Sequence, residues 1–147
     1  MIADRVDDAL RATGQRLLAA ARQAKAFGLA AVHIGEVAPV VVISGDGTER
    51  DYRLLFNPRI VGVAAETAKG EEGSVSLPGL VVEIDRPIWA EIAHQDETGA
   101  ARTTRFEGFA ARVALHEIEQ MQGVFFLDRL SRLKREMALK KAKKLLG

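Results

Sequence analysis

The feature that most constrains the fold of this chain is a dense series of short extended segments in its middle. Turn residues such as Gly, Pro, Asn and Asp separate the segments, and most connections have hairpin length. Hairpin-length connections favour antiparallel pairing, because parallel strands need a longer crossover. The predicted strands cover residues 37–44, 52–56, 60–67, 81–84, 88–95 and 101–106.

Helical periodicity flanks this strand-rich region on both sides. Residues 2–27 place apolar side chains along one face and carry acids in the opening turn, and Gly28 is well placed to end this helix. Residues 109–122 form a second predicted helix, which Gly123 would stop. The stretch between the first helix and the first long strand is small and apolar, which is typical of backbone that lies close to another element.

A third helix is predicted after Asp128, which is suited to cap its N-terminus. Its buried stripe would consist of Leu130, Leu133 and Met137, with basic residues covering the rest. A chain of 147 residues with 48% hydrophobic content suits one domain with its own core, residues 1–147. We therefore expect an α+β fold, with mainly antiparallel sheets around a central motif helix and helices at both ends.

The central helix carries the sequence Val-Ala-Leu-His-Glu-Ile-Glu-Gln-Met-Gln-Gly, from residue 113 to residue 123. This sequence is one residue away from His-Glu-x-x-His, in which two imidazoles hold a metal and the glutamate acts on its bound water. His116 and Glu117 are present, but Gln120 occupies the second histidine position. Taken alone, the His116-Glu117 pair is better interpreted as a buried polar pair on a helix.

Other metal-binding side chains are scarce. His33 lies in the small apolar stretch 28–35, where a lone histidine is more often a satisfied core residue than a ligand. The chain has no cysteine, which excludes disulfides and removes the softest protein ligand for a metal.

Charge is distributed unevenly along the chain. From Arg129 onward there are eight Lys or Arg residues and one acid, Glu136, although the whole chain has a formal net charge of only +1. Such a basic helix indicates an anionic partner such as ribosomal RNA, or it is simply a solvated helix face. The N-terminal residues are acidic and no apolar run has membrane-spanning length, so we expect a cytoplasmic protein without a membrane partner.

Three separated stretches of the chain form one pattern. Residues 26–33 read Ala-Phe-Gly-Leu-Ala-Ala-Val-His, residues 72–76 read Glu-Gly-Ser-Val-Ser, and residues 116–120 read His-Glu-Ile-Glu-Gln. They resemble the motifs Gly-x-Gly-Leu-Ala-Ala-x-Gln, Glu-Gly-Cys-Leu-Ser and His-Glu-Ile-Asp-His of the peptide deformylases, metal-dependent hydrolases that remove the formyl group from the initiator methionine of nascent bacterial proteins. Shorter matches lie at residues 56–60, 77–79, 85–87, 96–99 and 123–128.

The resemblance implies a metal site at His116. Ser74 and Gln120 occupy the other two ligand positions, where the family has cysteine and histidine. The family's metal is usually Fe²⁺ in cells, and often Zn²⁺ or Ni²⁺ in preparations. A neutral hydroxyl and a carboxamide are weaker ligands for these ions than a thiolate and an imidazole. The expected cofactor is therefore none, or a weakly bound divalent metal.

The resemblance also implies roles beside the metal. Glu117 corresponds to the glutamate that shuttles the water proton to the leaving amine. His33 and the backbone N–H of Val75 correspond to the groups that stabilise the oxyanion. The family's peptide substrate lies as an added strand against backbone that corresponds here to Phe27, Gly28 and Gly73.

Three functions are compatible with these residues. The first is a peptide deformylase-like protein with absent or strongly impaired hydrolysis, whose pocket is kept for stability or for binding a formylated or unformylated peptide N-terminus. The second is an active metal-dependent deformylase or amidase with a re-drawn ligand set that uses His33 and His116. The third is a module whose basic C-terminal helix contacts the ribosome or another RNA. The first requires the fewest assumptions, because the two ligand changes already explain it.

Overall fold

The computed structural model describes residues 5–44, 51–74 and 77–146. Its helices are α1 (Asp8–Ala24), α2 (Gly108–Met121) and α3 (Arg132–Leu146), and single 3-10 turns cover Ala31–Ile34 and Phe126–Arg129. Its strands are β1 (Gly28–Ala30), β2 (Val40–Ser44), β3 (Tyr52–Val63), β4 (Thr67–Ser74), β5 (Leu77–Pro87), β6 (Trp89–Gln95) and β7 (Ala101–Glu107).

The strands form a five-stranded sheet in the order β1-β2-β3-β6-β7 and a two-stranded ribbon of β4 and β5. Every neighbouring pair is antiparallel. The predicted α+β fold with mainly antiparallel sheets is therefore confirmed. No helix in the described part of the chain is long and apolar enough to cross a membrane.

Strand β2 lies at the centre of the fold, and all five of its residues are buried. Val41 and Ile43 belong to the core that includes α2, whereas Val40 and Val42 belong to the core that includes Leu17 of α1. Because side chains alternate along a strand, these two sets point to opposite faces of the sheet. The motif helix α2 therefore covers one face of the sheet, and α1 covers the other.

Helix α3 packs against β5 through small side chains. Ala138 and Ala142 lie in a third core, and Leu130 packs against that core from its edge. The predicted burial of Leu133 and Met137 is wrong, because these side chains are 67% and 62% exposed. The face of α3 that packs on the ribbon carries the two alanines, and the two larger side chains lie on the exposed part of the helix surface.

Both ends of α1 and the cap of α3 differ from the predictions. Residues 5–7 of the predicted helix 2–27 are not helical, and α1 begins at Asp8. Helix α1 ends at Ala24, before the predicted Gly28, because Lys25 adopts the left-handed conformation with φ of 54°. Asp128 does not cap α3. The Ser131 hydroxyl accepts a hydrogen bond of 3.3 Å from the Lys134 N–H in the first turn, while Asp128 accepts one of 3.2 Å from Phe125 N–H.

Several strand predictions are also wrong. The predicted strand 60–67 is divided between β3, which ends at Val63, and β4, which begins at Thr67, and the predicted strand 81–84 is the middle of the longer β5. The predicted break at Asn57 and Pro58 is absent, because β3 continues through it with a register shift between Phe56 and Arg59. Asn57 has a φ of 49° there, and a bulge of this kind tolerates proline in a strand. The predicted loop 69–73 is part of β4 and pairs with β5. The predicted turn at residues 45–47 lies outside the described residues.

Candidate functional site

Helix α2 lies close to β1, and a glycine makes this approach possible. A Cβ atom at Gly28 would lie 2.6 Å from Val113 Cγ1 and 2.9 Å from Glu117 Cγ. Atoms at such distances would overlap, so a larger residue would push α2 away from the sheet. Gly28 therefore sets the position of Glu117 beside the backbone of β1.

A pocket of about 630 Å³ opens between β1, the β4–β5 ribbon and α2. Phe27 and Phe109 form its apolar rim, with ring centroids 5.0 Å apart in an edge-to-face contact. The structure brings most of the predicted site residues together in its lining: Phe27, Gly28, His33, Gly73, Ser74, His116 and Glu117. Gln120 follows one helical turn after His116, and Val75 lies outside the described residues.

The His116 ring is held in a fixed orientation. Its Nδ1 atom lies 2.9 Å from Oε1 of Glu72, and its ring stacks at a tilt on Phe126 with centroids 5.1 Å apart. Glu72 is ionised near neutral pH and accepts hydrogen bonds, so the proton of a neutral His116 is on Nδ1. This tautomer leaves the Nε2 lone pair for the pocket, an arrangement typical of metal-binding histidines.

Glu72 is the centre of a buried ionic network. Arg86 donates to both of its oxygens, at 2.8 Å from Nε and 3.0 Å from Nη2, and Arg112 donates at 2.8 Å. Arg86 also pairs with Glu119, which pairs in turn with Arg129. Burial opposes ionisation of Glu72, but hydrogen bonds from His116 and Arg86 lower its pKa to about 2.

Glu117 has the opposite environment. Its side chain is 8% exposed, and its Oε1 accepts no hydrogen bond from the described residues. Burial raises its pKa to about 7; the charge of His116 opposes this shift and that of Glu72 adds to it. Glu117 therefore exchanges a proton with its surroundings near neutral pH, as a general acid or base must.

His33 lies in the 3-10 turn that follows β1, with its side chain 5% exposed and its Nδ1 atom 3.9 Å from Glu117 Oε1. Its Nδ1 lies 3.0 Å from the backbone nitrogen and 3.1 Å from the carbonyl oxygen of Ala30, so it accepts from the N–H in one neutral tautomer and donates to the carbonyl in the other. Burial lowers the pKa of His33, the hydrogen bond from the ring to the Ala30 carbonyl raises it, and the charge of His116 lowers it further. In the tautomer whose Nδ1 accepts from Ala30, the ring proton lies on Nε2, where it can be donated to a carbonyl oxygen.

The remaining predicted ligand positions supply oxygen atoms. Ser74 lines the pocket, and Gln120 Oε1 is buried without a hydrogen bond from the described residues. Within residues 5–44, 51–74 and 77–146, no group of three or more His, Cys, Asp or Glu side chains is arranged to hold a metal ion.

Comparison with known proteins decides the family. Residues 2–136 match the family model described as polypeptide deformylase. The chain belongs to the polypeptide deformylase family. The relationship suggested by the three motifs is thereby confirmed over nearly the whole chain.

Individual relatives of this deformylase-family protein support the same family assignment. A protein of Agrobacterium fabrum named peptide deformylase-like is 42% identical over 139 residues, covering 94% of this chain and 83% of that relative. A peptide deformylase of Phenylobacterium zucineum is 38% identical over 143 residues, covering 96% and 85%. The crystal structure of a peptide deformylase from Legionella pneumophila matches with a TM-score of 0.88 at 30% identity, covering 99% of this chain and 85% of that one.

Three residues of the deformylase-family site have roles that the motifs alone did not reveal. Glu72 and Arg86 lie within matched motifs, but their pairing appears only when the ribbon brings β4 and β5 together. Arg112 also lines the pocket. Its spacing of four residues from His116 was an available signal, since residues at this spacing share one face of a helix.

Proposed function

We propose that this deformylase-family protein binds the N-terminal end of a peptide in its pocket and hydrolyses formyl amides very slowly or not at all. One observation carries the proposal: the three motif positions supply one imidazole, His116, with a hydroxyl at Ser74 and a carboxamide at Gln120. Sites built from thiolates and imidazoles bind zinc with apparent free energies of about 10–16 kcal/mol. Replacing two such donors by neutral oxygens does not fit the family's Fe²⁺, Zn²⁺ or Ni²⁺.

The residues that remain are suited to holding an acyl or amide group. Glu117, with a pKa of about 7, donates a hydrogen bond when protonated and accepts one when ionised. In the tautomer whose Nδ1 accepts from the Ala30 N–H, the Nε2–H of His33 is a second donor for a carbonyl oxygen. Both side chains line the pocket, so a peptide end with a carbonyl group meets partners for its polar atoms without a metal.

The backbone around the pocket supports an extended peptide. Strand β1 is an edge strand of the five-stranded sheet, and Phe27 and Gly28 line the pocket on this side. Gly73 of β4 lines it from the ribbon. An edge strand offers unpaired N–H and C=O groups, and an added peptide strand can use them. These main-chain partners do not depend on the side chains at the metal-ligand positions.

The direct test combines binding and hydrolysis on the same peptide. Isothermal titration calorimetry with an N-formylated tripeptide should show saturable binding to the wild-type protein, while formate release stays close to the uncatalysed rate. The positive control is the double variant Ser74→Cys with Gln120→His, which restores the family's ligands in the same fold. We expect it to bind metal and regain formyl-peptide hydrolysis. Ordinary formate release by the wild type, or no peptide binding at all, would contradict the proposal.

A re-drawn metal site is the second candidate, because His33 and His116 line the same pocket. This candidate requires both Nε2 atoms to face one ion, with Glu117 retained as the base. It predicts near-stoichiometric metal in the wild type that disappears in a His33→Ala variant. The peptide-binding proposal predicts little bound metal in either protein.

A further inference from the structure

A guanidinium group forms part of the pocket wall, and the backbone fixes its position. Arg112 lies one helical turn before His116, and its side chain is 12% exposed. Its Nη1 atom donates to Glu72 Oε2 and to the carbonyl oxygen of Ile84, both at 2.8 Å. Its Nη2 atom donates to the carbonyl oxygen of Ala68, also at 2.8 Å. These bonds hold the planar group over the start of β4.

The position of this guanidinium depends on a glycine. A Cβ atom at Gly70 would lie 2.7 Å from Cζ of Arg112 and 2.8 Å from both Nε and Nη2. Any larger residue at position 70 would therefore displace the guanidinium from its site on the ribbon. The combination of Gly70 and Arg112 makes the cation a fixed part of the pocket.

Arg112 retains hydrogen-bonding capacity toward a ligand. A guanidinium has five N–H groups, and the three bonds above occupy both hydrogens of Nη1 and one of Nη2. Among the described residues, Arg86 and Arg112 balance the two buried carboxylates of the network, Glu72 and Glu119, and Arg129, whose side chain is 49% exposed, also pairs with Glu119. Arg112 is the network cation that lines the pocket.

A peptide strand added beside β1 would direct side chains toward this cation. On β1, Ala30 lies in the core shared with α2, whereas Leu29 lies in the core shared with α1. Alternate side chains of an added strand would follow the same two directions, and one set would point to the α2 side. On that side Phe27 and Phe109 provide apolar contact for a side-chain stem, and Arg112 provides donors for its end.

We propose that Arg112 determines specificity in this pocket, and that the preferred peptide carries glutamate or glutamine at the residue whose side chain enters it. This inference rests on the proposed peptide binding and specifies its ligand. A carboxylate or carboxamide oxygen meets the remaining N–H groups of Arg112, and with a glutamate these hydrogen bonds join two charged groups. A methionine side chain would leave those donors without a partner, and an unpaired buried donor weakens binding.

The test uses calorimetry with four N-formylated tripeptides that differ only in the first residue: Glu, Gln, Met or norleucine. The wild-type protein should bind the Glu and Gln peptides roughly tenfold more tightly than the other two, the usual effect of one additional charge-assisted hydrogen bond. Arg112→Met should abolish this preference. If that variant does not fold, the order of the four peptide affinities for the wild-type protein still tests the proposed preference.

A pair of glycine variants provides the matched control. Gly70→Ala displaces the guanidinium while keeping its charge in the chain, so it should reduce the preference for Glu and Gln. Gly62→Ala, on β3, should not change it, because its added Cβ would lie 3.7 Å from the nearest atom. Equal or tighter wild-type binding of the Met peptide would overturn this inference alone. Failure of all four peptides to bind would overturn the proposed function as well.

Discussion

The buried carboxylates on the two sides of His116 differ in how many hydrogen bonds they accept. On the ribbon side, Glu72 accepts hydrogen bonds from His116, Arg86 and Arg112. On the sheet side, Oε1 of Glu117 accepts none from the described residues. A saturated network resists rearrangement, whereas an unpaired buried oxygen destabilises the folded protein until a partner meets it. The ribbon side therefore supports His116, and the sheet side is the face that we propose binds the ligand, called here the ligand-binding face.

A substitution in the hydrogen-bonded network around Glu72 should have the largest effect on the free energy of unfolding. Arg86 is 3% exposed and joins Glu72 to Glu119, so Arg86→Met leaves two buried carboxylates without their shared cation. Removing one partner of a buried ion pair costs about 3–5 kcal/mol. Urea unfolding, followed by far-UV circular dichroism, should show a loss of this size in the free energy of unfolding.

The control for that measurement is an exposed ion pair of the same type. Arg132 lies 3.2 Å from Glu136, with the two side chains 87% and 56% exposed. Arg132→Met should lower the free energy of unfolding by no more than about 1 kcal/mol, since exposed pairs contribute little. Similar losses in the two variants would show that the buried network has no special role in stability.

The two sides should also respond oppositely to pH. The pKa of Glu72 is lowered from 4.5 to about 2, so its contribution is present above pH 4.5 and is lost as the pH falls through 2. The pKa of Glu117 is raised from 4.5 to about 7, so its contribution is present below pH 4.5 and is lost as the pH rises through 7. A shift of this size corresponds to at most about 3 kcal/mol for each group.

Glu117→Gln isolates the second effect. Relative to the wild type, its free energy of unfolding should increase by at most about 3 kcal/mol between pH 4.5 and pH 8, because the variant has no carboxylate to ionise in the core. Titrating groups that do not interact with Glu117 are present in both proteins and cancel in the difference. Glu71→Gln, at an exposed residue of the same pocket, is the control. If the difference in free energy of unfolding between Glu117→Gln and the wild type does not change with pH, the distinction between Glu72 and Glu117 is wrong.

A smaller effect should follow from separating α2 from β1 on the ligand-binding face. Gly28→Ala introduces a Cβ atom 2.6 Å from Val113 Cγ1. Overpacking of this kind typically costs about 1–3 kcal/mol, and it should also weaken peptide binding by moving Glu117. Thermal unfolding and calorimetry measure the two consequences. Unchanged values for both would mean that the close approach of α2 is not required.

The elements predicted well were those with a strong local pattern. The periodicity of residues 109–122 and the β-branched run that became β2 both identified their elements, because burial on a helix face or in a sheet dominates these sequences. Strand β4 was missed because its glycines and charges are typical of loops. Its pairing with β5 depends on partners distant in sequence, such as Arg112 on Ala68 and Gly70.

The sequence likewise predicted the parts of the site that lie within local motifs and missed those that depend on distant residues. The motif positions His33, Ser74, His116 and Glu117 meet in one pocket, as the resemblance implied. The support of His116 by Glu72 could not be predicted from spacing, because these residues are 44 positions apart. The orientation of α3 was also missed, since Leu133 and Met137 look like core residues until the alanine face is seen against β5.

On the proposed function, the ligand-binding face works without a tightly held transition metal, and the metal content of the protein tests this most directly. Inductively coupled plasma mass spectrometry of the protein as purified, without added metal, should find Fe, Zn and Ni well below one atom per chain. The Ser74→Cys, Gln120→His double variant, prepared identically, should approach one atom per chain. Near-stoichiometric metal in the wild type, accompanied by formate release at the rate of the double variant, would contradict the account.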